Sequence, residues 1–411
     1  MADSFRMISN SDEAPDKKCK CFGKKTLIIT GCVLGGFIFA LLMADGRIFN
    51  RKKYLDAFEL DYINDFTDKR SKMISRGILA SNSHNTQSWR FIFNANNENI
   101  FDMYLNHDRL TPQCDPYSRQ ITISAGTFIE YMKVAADVQG INLNILYFPS
   151  GEYDQNGTIE SIKAHPIARF TISTKAAVTN DLHQYMFKAD TTRSNYKAEK
   201  IKANEIAHLN TLNNEPNLNL TIVNNDADMN TLHSIVKRAG YVEADVKRVQ
   251  TEVLHYFRLN EWQKNKYGNG LVFEGSGTTG FMNFLMQGFL TLLPFAMNEE
   301  ASAKSFKGSI DAIVSNTPHY VIIDSNDNSR LSQVKAGELY SRIILNAHKF
   351  GIALQPVSQP LEEYSEMSNE YQNIHSQFTT SGKTIQMLAR LGYPTKEGAL
   401  SPRMPVNRLI E

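Results

Sequence analysis

The stretch "AGTFIEYMKVAADVQGINLNILYFP", residues 125–149, returns in outline as "AGELYSRIILNAHKFGIALQPVSQP", residues 336–360. Ala-Gly opens both, Gly-Ile-x-Leu follows at the same distance, and each ends on a proline, Pro149 or Pro360. Phe128, Met132 and Ala136 answer to Leu339, Ile343 and Ala347, and a spacing of four lays one apolar stripe along a helix. Gly140 and Gly351 stand where such a helix would be capped. Amphipathic helices match easily by chance, but the glycine, the tetrapeptide and the proline together read as a duplication. The expected architecture is α+β, with a first half over 50–180 and a second over 181–411, fused so that a monomer acts as a pseudo-dimer. "IARFTIS" (167–173), "LNLTIV" (218–223) and "HYVIID" (319–324) would supply sheet strands.

The chain of 411 residues has ordinary globular composition, 42% hydrophobic and 21% charged, and a formal net charge of +1. No global field points to nucleic acid. Three of the four cysteines lie in the first 32 residues, which excludes a disulfide framework in the body. Cys19 and Cys21 lack a second pair of ligands at zinc spacing, so no metal is expected.

Residues 1–25 form a polar, basic tail, and "TLIITGCVLGGFIFALLMA" (26–44) follows without a charge. As a helix it would run about 28 Å, close to a bilayer's apolar thickness. The expectation is an uncleaved transmembrane helix over 26–45, a single-pass membrane anchor in the lipid bilayer. The lysine excess before it would leave the body on the non-cytoplasmic side. A second apolar run, "FMNFLMQGFLTLLPFAM" (281–297), is broken by Asn283, Gln287 and Pro294. It reads as a buried helix, or as a flap around 275–300 closing over a site. "GSGTTG" (275–280) has dinucleotide-loop spacing without the βαβ setting that gives it meaning, and reads as a hinge.

Three clusters carry candidate chemistry. "ASNSHNTQSWRF" (80–91) mixes amide and hydroxyl groups of the kind that suit a flat heterocycle. "KADTTRSNY" (188–196) and "SPRMPV" (401–406) each set an arginine, Arg193 or Arg403, beside hydroxyl side chains. A planar guanidinium with neighbouring hydroxyls fits a phosphate dianion, although ordinary surface loops look the same.

Together these stretches resemble the FMN-dependent nitroreductases, and more closely their duplicated Acg-type branch. "ASNSHNTQSWRF" is similar to that branch's A-P-S-S-H-N-T-Q-P-W-R-F loop. "HDRLTPQCDPYSR" (107–119), "ADTTRSNY" and "LARLGYP…SPRMPV" follow in the family's order. The resemblance implies a duplicated nitroreductase-like fold with FMN between the halves. Asn82, Ser83, Asn85 and Gln87 would contact its ribityl chain and ring. Thr191, Arg193 and Arg403 would hold the phosphate, and Ser358 and Gln359 would lie by flavin N5. It also implies an oxidoreductase that takes a hydride, possibly from NAD(P)H as electron donor, and passes electrons to an unknown small-molecule acceptor. An FMN-sequestering protein without turnover is the alternative, and a scaffold that has lost its flavin a third. Ala189, Thr192 and Met404 stand where the branch has arginine, asparagine and arginine, and Ser81 and Ser88 replace two prolines.

Overall fold

The computed structural model describes residues 19–411, apart from the side chains of 19–28. The basic tail expected over 1–25 therefore lies largely outside the described residues. Helix α1 (Cys19–Asp45) precedes α2 (Lys69–Gly77), the hairpin β1 (Trp89–Phe93) and β2 (Ile100–Leu105), and α3 (Arg119–Val138). Strand β3 (Ile141–Tyr147), α4 (Ile159–Ala164) and β4 (Ala168–Thr174) complete the first sheet. Next come α5 (Ala203–Asn210) and β5 (Leu218–Val223). An all-helical stretch follows: α6 (Asp226–Asp245), α7 (Lys247–His255), α8 (Glu261–Tyr267), α9 (Gly280–Leu292) and α10 (Glu299–Ser315). Strand β6 (His319–Ser325), α11 (Arg330–Lys349), β7 (Ala353–Pro356), α12 (Ser368–Phe378) and β8 (Thr384–Gly392) close the second sheet.

Both sheets are four-stranded, in the orders β1-β2-β4-β3 and β5-β6-β8-β7, and every pairing is antiparallel. The expected strands at 167–173, 218–223 and 319–324 are β4, β5 and β6, to within a residue or so at their ends.

Helices α3 and α11 are the two segments quoted at the outset, and they lie against each other with almost all side chains buried. Gly126 and Gly337 mark the closest approach. A Cβ on Gly126 would fall 1.9 Å from the Val334 carbonyl oxygen, and one on Gly337 would fall 1.9 Å from that of Ile123. Only the absence of a side chain lets the backbones come this near. Around the crossing, Arg342 grips both Glu130 oxygens at 2.8 and 3.1 Å, and Lys133 meets the buried Glu338 at 2.7 Å. Buried carboxylates are tolerated here because each has a cation and further donors.

Two arginines make the contact reciprocal. Arg119, at the start of α3, donates to the Leu361 carbonyl at 2.6 Å and the Gln386 carbonyl at 2.9 Å. Arg330, at the start of α11, donates to the Asp154 and Gln155 carbonyls at 2.9 and 3.0 Å. The chain end also crosses over. Leu409 and Glu411 hydrogen-bond to the backbone of Phe91 beside β1, so the last residues belong to the core around the first sheet.

Two expectations change. The anchor, with its bilayer partner and non-cytoplasmic body, is not upheld: among the described residues no helix is long and apolar enough to cross a membrane. The described end of that run is committed to protein instead. Leu41 is buried and meets Gly288 of α9 at contact distance, and Asp45 ends the helix as a buried carboxylate paired with Arg47. The second apolar run forms α9, but inside out. Asn283 and Gln287 point inward and donate to Glu274 at 2.9 and 3.2 Å, whereas Phe281, Met282 and Phe289 are exposed. Glu274 is anchored in turn by the buried Lys264 at 2.6 Å. A buried carboxylate needs donors more than a helix needs its apolar side covered.

Replacing Gly337 by alanine forces the helices apart and should destabilise the fold by about 3 kcal/mol in urea denaturation. A loss within the scatter of ordinary surface variants would show that the crossing yields without cost.

Candidate functional site

The loop from Ala80 to Ser88 sits between α2 and β1 in a conformation that few side chains adopt. His84, Asn85 and Gln87 all have positive φ, at 48°, 51° and 52°. Such backbone costs energy unless its surroundings over-determine it, and here they do. The Asn82 side-chain oxygen accepts from the Gln87 amide at 2.8 Å, and the Ser124 hydroxyl from the Ser83 amide at 3.0 Å. Asp190 Oδ2 accepts from the Ser81 amide at 2.8 Å. Asn85 donates to the Gly270 and Pro402 carbonyls, each at 3.0 Å. Gln87 donates to the Gly268 carbonyl at 2.9 Å and accepts from the Met404 amide at 2.9 Å.

Arg403 belongs to this knot. It donates to Asn85 Oδ1 at 3.1 Å and to the Leu79 carbonyl at 2.7 Å. The structure thus brings Asn82, Asn85, Gln87 and Arg403 together, with most of their polar groups engaged in holding backbone. Burial pushes the Arg403 pKa down to about 10.

Arg193 is different. It is solvent-reachable yet surrounded by protein, as a side chain on the floor of a recess would be. Its one hydrogen bond is to the Gly275 carbonyl at 3.3 Å. Burial lowers its pKa, and the nearby charge of Arg390 lowers it further. His84 faces the same field: desolvation first, then repulsion from Arg193, push it down to about 4. The imidazole is therefore neutral at physiological pH, with Nδ1 3.2 Å from the Ser83 hydroxyl. Loop 80–88 and Arg193 thus lie within electrostatic reach across the two halves.

Thr191 bridges to Leu354, and the Thr192 amide donates to the Leu354 carbonyl at 2.9 Å. Ser358 precedes the short turn of Gln359–Leu361, and the Gln359 side-chain oxygen has no partner. Ser81 Oγ, Tyr340 Oη, Arg390 Nη1 and Gln120 Nε2 are likewise buried without one. Ser81 belongs to the loop, Gln120 meets the Ser83 hydroxyl at 3.4 Å, and Tyr340 and Arg390 are felt by Arg193. Buried polar atoms are nearly always paired, so these groups have hydrogen-bonding capacity left over among the described residues.

The sequence reasoning passed over several of these residues. Asp190 and Arg390 were inside the quoted motifs, one position before Thr191 and within "LARLGYP". Gln120, Glu362 and Glu243 carried no local signal. Glu362 and Glu243 are buried carboxyls raised by desolvation, with Glu362 pushed up further by Glu243's charge. A carboxyl this buried, beside a second one, resists ionisation, and the motifs did not disclose the pair.

No known family's sequence profile matches the chain. Two uncharacterized proteins from two strains of Mycobacterium tuberculosis are each 30% identical over 83 residues, 20% of this chain. That match spans about a quarter of the length of these curated relatives. Similar solved structures include an oxidized iodotyrosine deiodinase bound to FMN and 3-iodo-L-tyrosine, at 13% identity and TM-score 0.32 over 54% of this chain and 95% of that one. A Bacteroides fragilis nitroreductase with bound FMN is 13% identical, TM-score 0.33, over 55% and 95%. An FMN-dependent nitroreductase of Mycobacterium smegmatis in complex with NADPH is 13% identical, TM-score 0.29, over 50% and 83%.

The low His84 pKa has a definite sign. The unfolded chain takes up the imidazole proton near the ordinary 6.5 and the folded chain only near 4, so stability falls as pH drops through that window. Arg193→Ala should raise the His84 midpoint in an NMR titration. An unmoved midpoint would mean that desolvation alone sets it.

Proposed function

We propose that the chain is an FMN-dependent oxidoreductase of the nitroreductase type, its two halves a fused pseudo-dimer with the flavin between them. Arg193 carries this reading: an accessible guanidinium, with no ion pair among the described residues, across from a strained polar loop. A phosphate there would offset the mutual repulsion of Arg193 and Arg390. The repeated strand order and the reciprocal contacts of Gly126 with Gly337 and of Arg119 with Arg330 support the pseudo-dimer.

The unpartnered atoms fit the group. Arg193, with Thr191 beside it, would hold the phosphate; Arg403 would act through Asn85 by keeping the loop in shape. Ser81 and Ser83 would meet the ribityl hydroxyls, and Gln359 has a free acceptor for a ring-edge donor. When bound, FMN supplies a ring able to accept a hydride and release electrons in turn. The neutral His84 keeps the loop side free of a second positive charge. The donor in this reading is a reduced nicotinamide and the acceptor a small molecule.

Purified protein should gain flavin absorbance on titration with FMN, and adding NADPH without oxygen should bleach it. Arg193→Ala should weaken FMN affinity by about ten-fold or more, the equivalent of one charged hydrogen bond. A protein that takes up no flavin from excess FMN would sink the proposal. A stable yellow protein that never bleaches would leave storage in place of turnover.

A further inference from the structure

A cavity of about 660 Å³ opens beside the 85–87 loop, lined by residues of α7, α8 and the chain end together with Asp108 and Arg109. Neither His84 nor Arg193 lines it, and its volume is that of an ordinary small-molecule site. Its wall is unusual in charge. Arg109, Arg258 and Arg408 all face it, and none forms an ion pair among the described residues. Asp108, the one carboxylate in the wall, is 3.3 Å from His107 with its side chain 78% exposed.

Arg109 and Arg408 hold backbone with part of their donors and leave the rest free, whereas each nitrogen of Arg258 is engaged, with the Asn269 and His255 carbonyls and Asn269 Oδ1. Arg109 gives one N–H to the Trp89 carbonyl at 2.7 Å, but its buried Nε has no partner and Nη1 meets only the Met404 sulfur at 3.5 Å. Arg408 spends Nη1 on the Lys266 carbonyl at 2.7 Å. Burial pushes the Arg109 pKa down to about 10, the mark of a cation desolvated without compensation. Arg258 lies 4.4 Å from the Tyr267 ring centre, on a ring that is still 41% exposed. Lys266 Nζ stands 5.1 Å from the same ring centre, so the tyrosine is flanked by cations and its exposed part is left for stacking.

We propose that this cavity binds a nucleoside monophosphate, its phosphate against Arg109 and Arg408 and its base against Tyr267. Several directed, uncompensated donors suit a phosphate dianion. A single flat ring beside them selects a ligand that carries a base as well. This site stands apart from the flavin reading and does not need it.

Calorimetric titration of the full chain with AMP, adenosine and inorganic phosphate tests the proposal. AMP should bind about ten-fold or more tighter than adenosine, the gain from one charged contact to phosphate. Arg408→Glu should weaken AMP by about ten-fold or more, and Tyr267→Ala, another exposed position, should weaken AMP more than inorganic phosphate. Arg193→Ala should leave AMP binding unchanged, and Arg408→Glu should leave FMN uptake unchanged. No uptake of AMP, equal affinity for adenosine, or a loss that follows Arg193→Ala instead of Arg408→Glu would overturn it.

Discussion

Everything else in the molecule is arranged around a backbone-to-backbone contact. Gly126 and Gly337 let α3 and α11 approach until each carbonyl fills the space where the other helix would carry a Cβ. Two helices this close leave no room for a separate apolar layer between the halves. Val334 and Leu345 of α11 join the core around the first sheet directly, and ion pairs and arginine–carbonyl bonds add to that packing. Such bonds are directional, so they fix the relation of the halves more narrowly than apolar packing would.

The recess shows how the fold divides its polar groups between structure and chemistry. Asn85, Gln87 and Arg403 look like ligand-binding groups by type, but they are buried and hydrogen-bonded to carbonyls. Their work is to hold three residues at positive φ. Arg193 has a single long hydrogen bond and stays accessible. In a desolvated place the cation with the fewest internal partners gains most from an incoming anion. By that measure Arg193 is the better placed of the two to meet an anion, while Arg403 serves the shape of the loop.

The matched skeleton of α3 and α11 was legible because the constraint on their crossing acts on residue type. Only glycine satisfies the crossing, so Ala-Gly appears twice, and Gly140 and Gly351 adopt the left-handed caps expected of them, at φ 64° and 68°. Strands β4, β5 and β6 were legible for a similar reason, through their β-branched and aromatic runs. Long-range partners left no such trace. Nothing near Glu362 says that Glu243, on a distant helix, will share its environment, and nothing in "FLMQGFL" says that its glutamine faces inward. The run reads as a buried apolar helix until Glu274 and Lys264 are placed behind it. Asn283 and Gln287, taken as interruptions, are buried on the face of α9 that also carries Phe284 and Gly288. The pairing of the chain end with Phe91 left no local trace either.

A net charge of +1 conceals an uneven distribution of that charge. Many carboxylates on the described surface have a cation in reach, such as Asp102 with Arg169 and Glu370 with Arg238. Several arginines without carboxylates lie near one another, Arg193 with Arg390 and, around the cavity, Arg109 with Arg258 and Arg408. In both, backbone carbonyls stand in for the missing anions, and carbonyl dipoles compensate a desolvated guanidinium only in part. Exposed loops would screen such charges at no cost. Where burial desolvates such a guanidinium, as at Arg109 and Arg390, it costs stability, so the same uneven pairing favours whichever anions fit there.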